Sequence, residues 1–259
     1  MGEDLMLGGF RRDLTSTFSL GKWRPFVYRA TSVKQTIALS FDDGPSPETT
    51  PRVLALLRSH GAKATFFLLG NRVVAWPELV EDMVRDGHSV YAHGYNHIRL
   101  DGLPEDEAIK ELTDTETILA RFRPTPSPYL VRLPFGAGHR NTRIHQLVSR
   151  WQPDCQFAHW RYDFKDFRLA ENCESMAELE RRCDAAVAKA FADTRFVGGV
   201  ALLHENPLGA SGSLVPEIAS TILSRILIEA DARNIQITGM APYAQPPWWS
   251  PYVRTVAVE

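Results

Sequence analysis

From residue 36 onward, short apolar or β-branched runs alternate with helical patterns, and no other feature limits the possible folds as strongly. The strand candidates are 36–41, 64–69, 88–92, 129–132, 155–159, 197–203 and 235–239. Between them, Pro51 opens a helix that carries Val53, Leu54 and Leu57 to Gly61, and Pro77 opens one that carries Leu79, Val80, Met83 and Val84 to Gly87. Residues 105–122 place Ala108, Ile109, Leu112, Leu119 and Phe122 on one face. Ser175-x-x-Glu178 reads as a capping box opening a helix through Phe191, and a last helix over 216–231 carries Ile218, Ile222, Ile226 and Leu227. Repeated β-α units of this kind give mostly parallel strands. In such architectures, open or closed into a barrel, functional groups gather at the carboxyl ends of the strands.

No linker, internal repeat or low-complexity tract divides the 259 residues, so the chain reads as a single domain over 35–240. Residues 1–34 form an N-terminal arm, in which Arg11, Arg12, Lys22 and Arg24 are solvated, and 241–259 a tail packed on the domain. Trp248 and Trp249 belong to that packing rather than to a site. With 44% hydrophobic and 23% charged residues the chain can bury a core without metals or disulfides to staple it. A formal charge of −2 gives no reason to expect nucleic acid or an anionic membrane as partner. Cys155, Cys173 and Cys183 offer neither a disulfide framework nor a zinc ribbon and read as buried thiols. The first 30 residues lack the apolar core of a signal peptide, and no stretch approaches a transmembrane span. A cytoplasmic protein, or the trimmed form of an exported one, is the expectation.

At the strand ends stand the residues with chemistry. Asp42 and Asp43 follow the first strand, where alternation would point the two carboxylates in opposite directions, one toward a metal and one toward a proton. His93 and His97 stand four apart, a spacing that on one helical turn aims two imidazoles at a single ion. Arg132 has the fork to grip a carboxylate bidentately. Asp163 and Asp166 follow the fifth strand, and His204 follows one as apolar as any in the chain. Taken singly, each also has a bland reading: turn, packing residue, surface charge or solvated loop. Their joint placement at strand ends is what accident explains poorly.

In this order the segments "SFDDGP" (40–45), "HGYNH" (93–97), "RLPFG" (132–136), "DFKDF" (163–167) and "LLHE" (202–205) resemble the five motifs of the polysaccharide deacetylases, the NodB-homology group of carbohydrate esterase family four. The resemblance covers about residues 35–240 and implies a distorted, incomplete (β/α) TIM-like barrel with about seven parallel strands. It implies removal of N-acetyl groups from an amino-sugar glycan, chitooligosaccharide-like or related. One divalent ion, zinc by default with cobalt, nickel or manganese as alternatives, would be held by Asp43, His93 and His97. Asp42 would be the general base, tuned by Arg132, and His204 the general acid, paired with Asp166 or, as second choice, Asp163. Phe135 would supply an oxyanion N–H, and Phe135, Phe167 and Leu203 would line the substrate groove.

Departures from the motif are informative. Gly94 stands where Ser or Thr is usual, which removes a hydroxyl that would support a histidine ligand and bears on metal affinity. Leu133 replaces Pro, Phe135 replaces Tyr and Phe167 replaces Trp; the last alters an aromatic wall of the groove. An O-acetyl deacetylase and a non-catalytic glycan-binding relative remain the alternatives. The second has no need of both a base and an acid.

Overall fold

The structure, a computed structural model, describes residues 35–243 together with Phe26, Val27 and Ala30. Arg11, Arg12, Lys22, Arg24, Trp248 and Trp249 lie outside the described residues. Nine strands are present among the described residues: β1 (Phe26–Val27), β2 (Thr36–Gly44), β3 (Thr65–Leu68), β4 (Ser89–Ala92), β5 (Leu130–Val131), β6 (Gln156–Ala158), β7 (Tyr162–Asp163), β8 (Val200–His204) and β9 (Gln236–Thr238). The seven read from the sequence are among them. Added to these are β1, inside the segment read as an arm, and β7, which contains Asp163. Both are two residues long, too short to show a period.

Every pairing is parallel, in two arcs. One runs β4-β3-β2-β8-β7, with β9 also on β2; the other runs β1-β6-β5. β9 takes the first residues of β2, Thr36 to Ala38, and β3 takes over from Ser40. The nine residues of β2 are all buried, as expected of a strand covered on both faces.

Side chains close the seam between β4 and β5, where the backbone ladder stops. The Tyr129 hydroxyl accepts the Ala92 N–H (2.9 Å) and donates to Glu116 (2.7 Å), and Arg123 donates to the Val90 carbonyl. His93 Nδ1 meets the Arg132 carbonyl at 2.8 Å. The result is a distorted (β/α) barrel.

Seven α-helices are described: α1 (Thr50–Ser59), α2 (Gly70–Ala75), α3 (Pro77–Arg85), α4 (Glu105–Leu119), α5 (Thr142–Trp151), α6 (Met176–Ala192) and α7 (Val215–Ala232). Proline stands in the first turn of α1 and α3, and left-handed Gly61 and Gly87 follow their ends, as read. Ser175 caps α6 by accepting the Glu178 N–H, while the Glu178 carboxylate reaches Glu174 rather than Ser175. The sequence pattern did not announce α2 and α5. The first is six residues long, and the second opens on Asn141, whose side chain accepts the Arg143 N–H.

Strand alternation separates two cores. Ile37, Leu39, Phe41, Phe66, Leu68, Ala201 and Leu203 face outward into one shared with α1, α3, α6 and α7. Ala38, Phe67, Tyr91, Tyr129, Val131 and Val200 belong to the other, which is shared with α4 and α5. Cys155, Cys173 and Cys183 are buried thiols. No helix among the described residues is long and apolar enough to cross a membrane.

Because the Tyr129 hydroxyl is the partner of a buried strand-edge N–H and of Glu116, Tyr129→Phe is expected to cost about 1–3 kcal/mol. Urea denaturation measures it; an unchanged midpoint would show that the seam does not need this bridge.

Candidate functional site

β2 does not alternate to its end. Asp43 adopts a left-handed φ of 68°, and the ladder to β3 skips it, pairing Asp42 with Phe67 and Gly44 with Leu68. This bulge corrects the expected opposition of the two acids by bringing both carboxylates to one histidine. His93 Nε2 lies 3.7 Å from Asp42 Oδ2 and 3.6 Å from Asp43 Oδ1. The bulge is braced at each carbonyl: Asp42 accepts the Glu205 N–H, Asp43 accepts from Arg72, and Gly44 accepts the Leu69 N–H. Glu205 is wholly buried, with Oε1 accepting from Thr50 Oγ1 at 2.5 Å. A Cβ at position 44 would stand 1.5 Å from its Oε2, so close packing, not a positive φ, demands glycine there. Burial pushes the Glu205 carboxyl up to about 8.

His93 and His97 converge, but not on a helical turn. Residues 93–97 form an irregular loop in which Gly94 has φ 82° and His97 φ 55°. Glycine at 94 therefore serves the backbone. The Arg132 carbonyl can only accept, so His93 donates from Nδ1 and turns Nε2 toward the acids. His97 Nε2 lies 3.2 Å from Asp43 Oδ1. The loop itself is held by Glu111 of α4, which accepts the Tyr95 and Asn96 backbone N–H groups.

Arg132, 2% exposed, crosses the barrel interior. Its Nη1 donates to Asp42 Oδ1 (2.7 Å) and to Ser40 Oγ (2.8 Å), and Nε donates to the Ala158 carbonyl (3.2 Å). The expected bidentate grip is thus a single bond, because the other donors are occupied elsewhere. The guanidinium lies 4.2 Å from the Phe67 ring centroid. Burial alone would raise the Asp42 carboxyl, but Arg132, aided by His93 and His204, holds it below its ordinary value.

His204 is the last residue of β8, in register with Asp42. Asp166 holds it twice: Oδ1 faces Nδ1 at 2.7 Å and Oδ2 accepts the backbone N–H at 2.7 Å. Of the two acids proposed for this pairing, Asp166 makes it; Asp163 Oδ1 instead accepts the Lys165 N–H in its own turn. Burial would lower the His204 imidazole, yet Asp166, with Asp42 and Asp43, raises it from 6.5 to about 10.

Among the proposed groove residues, Leu203 is corrected. It is 0% exposed and faces the outer core, whereas Leu202 shares the inward face with His204. Phe135 has φ 61° and is 62% exposed, its ring 4.5 Å from that of His97. The Phe167 ring stands edge-on to His204 at 6.0 Å. The sequence reading passed over Ser40, Thr50, Arg72, Glu111 and Glu205. Glu205 directly follows a strand end. Glu111 sits on the buried stripe of α4 with Ala108, Leu112 and Thr115, where a carboxylate is itself a signal.

Asp43, His93 and His97 each offer one donor atom, all within 4.8 Å of one another. Asp43 Oδ1 is buried and has no hydrogen-bond partner among the described residues. A buried anionic oxygen in that state, flanked by two imidazole Nε2 atoms, suits a divalent cation.

The sequence model of the family described as Polysaccharide deacetylase matches residues 29–152, which include the paired acids, both histidines and Arg132 but not Asp166 or His204. A peptidoglycan-N-acetylglucosamine deacetylase of Bacillus cereus is 33% identical over 156 residues, 57% of this chain and 55% of that protein. The peptidoglycan-N-acetylmuramic acid deacetylase PdaC of Bacillus subtilis is 42% identical over 126 residues, 47% of this chain and 26% of that protein. The chain thus spans about a quarter to a half of the length of these relatives. In structure it superposes with TM-score 0.67 and 26% identity on a crystallised peptidoglycan N-acetylglucosamine deacetylase, over 84% of this chain and 91% of that one.

With its imidazole raised to about 10, His204 is expected to stay protonated in the metal-free protein until the pH nears that value. The pair's contribution to stability is complete below pH 6.5 and disappears as pH climbs through about 10. An NMR titration should show this, with the midpoint falling well below it in Asp166→Asn. Equal midpoints in the two proteins would remove Asp166 as the cause.

Proposed function

The chain belongs to the polysaccharide deacetylase family, and from that premise we propose that it is a metal-dependent hydrolase removing N-acetyl groups from an amino-sugar glycan. The observation that carries the reading is the buried Asp43 Oδ1, which has no hydrogen bond among the described residues and faces Nε2 of both His93 and His97. Those three residues would hold the ion, with zinc the first choice and cobalt, nickel or manganese acceptable to the same donors. When bound, such an ion polarises the amide carbonyl and brings the pKa of water to about 7. The substrate class is a glycan containing N-acetylglucosamine or N-acetylmuramic acid units, in keeping with what the relatives are named for.

The chain's own groups divide the proton work. Asp42, kept ionised by Arg132, takes the proton of the attacking water. His204, kept protonated by Asp166, delivers one to the departing nitrogen. An amide nitrogen must leave as an amine, so this acid is indispensable, whereas an ester oxygen leaves more readily. The Phe135 backbone N–H is the candidate donor to the developing oxyanion. Leu202, on the inward face beside His204, takes the groove-lining role the sequence had given to Leu203.

Separate substitutions of the paired acids are expected to have different consequences. Asp43→Asn should abolish tight zinc binding in a chelator competition. Asp42→Asn should still bind zinc while acetate release falls by about 10²–10⁴-fold, the usual contribution of a general base. His204→Ala should impair acetamide cleavage far more than cleavage of an acetyl ester. Loss of equal size on both substrates would deny His204 its role. A zinc-loaded protein that binds acetylated oligosaccharides yet releases no acetate from any of them would be a binding protein instead.

A further inference from the structure

Two of the three candidate metal ligands sit on a loop whose conformation is intrinsically poor. Gly94 and His97 both have positive φ, and a left-handed histidine is strained unless its surroundings hold it. Gly94, standing where Ser or Thr is usual in the motif, brings no hydroxyl to support a histidine ligand. Something else must hold His97 in place.

Glu111, on the buried stripe of α4 and 8% exposed, meets the loop with both carboxylate oxygens. Its Oε2 accepts the N–H groups of Tyr95 (2.7 Å) and Asn96 (2.8 Å), and its Oε1 accepts from Asn96 Nδ2 (2.7 Å). Three bonds from one anion, in a largely dry setting, are stronger than neutral ones and fix direction as well as distance. The far side of the loop is tied to α2, through the Gly70 N–H to the Gly94 carbonyl and the Asn71 N–H to the Tyr95 carbonyl. Only the Glu111 side bears on the two amides immediately before His97.

We propose that Glu111 is a positioning residue for the metal centre: its carboxylate gathers the Tyr95 and Asn96 amides and so sets the left-handed His97 within reach of Asp43. This rests on reading Asp43, His93 and His97 as metal ligands. Glu111 touches none of them through its side chain and acts through the backbone, which separates it from His93, already oriented by the Arg132 carbonyl.

Glu116 provides the control. It lies on the same helix and anchors a comparable buried network with Arg123 and Tyr129, one that reaches Ala92 but makes no bond to residues 93–97. Zinc affinity by chelator competition, the visible spectrum of the cobalt-substituted protein, and thermal melting of the metal-free protein are compared for Glu111→Ala, Asn96→Ala and Glu116→Gln. Glu111→Ala is expected to weaken zinc binding by about 10–100-fold and to change the cobalt spectrum, as loss of an outer support for a ligand does. Asn96→Ala removes one of the three bonds and leaves α4 intact. It should lose less in the same direction, and it serves if Glu111→Ala does not fold. Glu116→Gln should lower the melting temperature while leaving affinity and spectrum as they were. Unchanged affinity in Glu111→Ala or in Asn96→Ala, or an equal loss in Glu116→Gln, would overturn the proposal. Failure of the unsubstituted protein to bind zinc or cobalt would overturn the metal reading first and this inference with it.

Discussion

A guanidinium buried in a protein interior costs several kcal/mol unless every donor finds an acceptor. Arg132 meets that requirement by reaching across the barrel, and the arrangement of the site follows from where its partners lie. Its side chain binds Asp42 and Ser40 on one arc and the Ala158 carbonyl on the other, while its own carbonyl orients His93. Phe67 packs against its flat face. One residue thus joins the two arcs, keeps one carboxylate ionised, and fixes which nitrogen of a histidine is free.

Acid and base are set apart by similar means. Asp42 and His204 stand in register on adjacent strands, yet one is driven toward its charged form by a cation and the other by an anion. Neither effect depends on solvent access, because the partners, Arg132 and Asp166, are themselves buried. Two groups of opposite charge can therefore be kept a strand apart, each pinned to its own partner rather than collapsed onto the other.

Much of this was legible in the sequence. Proline and glycine marked α1 and α3 at both ends, and apolar runs gave the seven main strands. Strand-end position singled out the ligand candidates and the proton-handling pair, and the resemblance of the five motifs gave them their roles. What stayed hidden was non-local or depended on a break in local regularity. The bulge at Asp43 is invisible to an argument from alternation, since it is the exception to alternation. The 93–97 loop looked like a helical turn because its four-residue spacing is the same, and the carboxylate that shapes it comes from a helix further along the chain. Leu203 was misassigned by one position, which in a strand is the whole difference between core and groove. β1 and β7 are too brief to leave a pattern.

The seam between β4 and β5 has no ladder of its own, and the His93 ring is one of the few ties across it. An ion shared by Asp43, His93 and His97 would bind the bulge of β2 and the loop after β4, and through His93 the start of β5's exit, into one rigid unit. At that tie, ion binding and closure of the seam reinforce each other, while the Tyr129 bridge to Ala92 and Glu116 holds its own stretch of the seam without bonding a ligand. A fluctuation that parts the seam at His93 also dismantles the ligand set. Free ion at a hundred times its dissociation constant would hold the seam shut with about 2.7 kcal/mol.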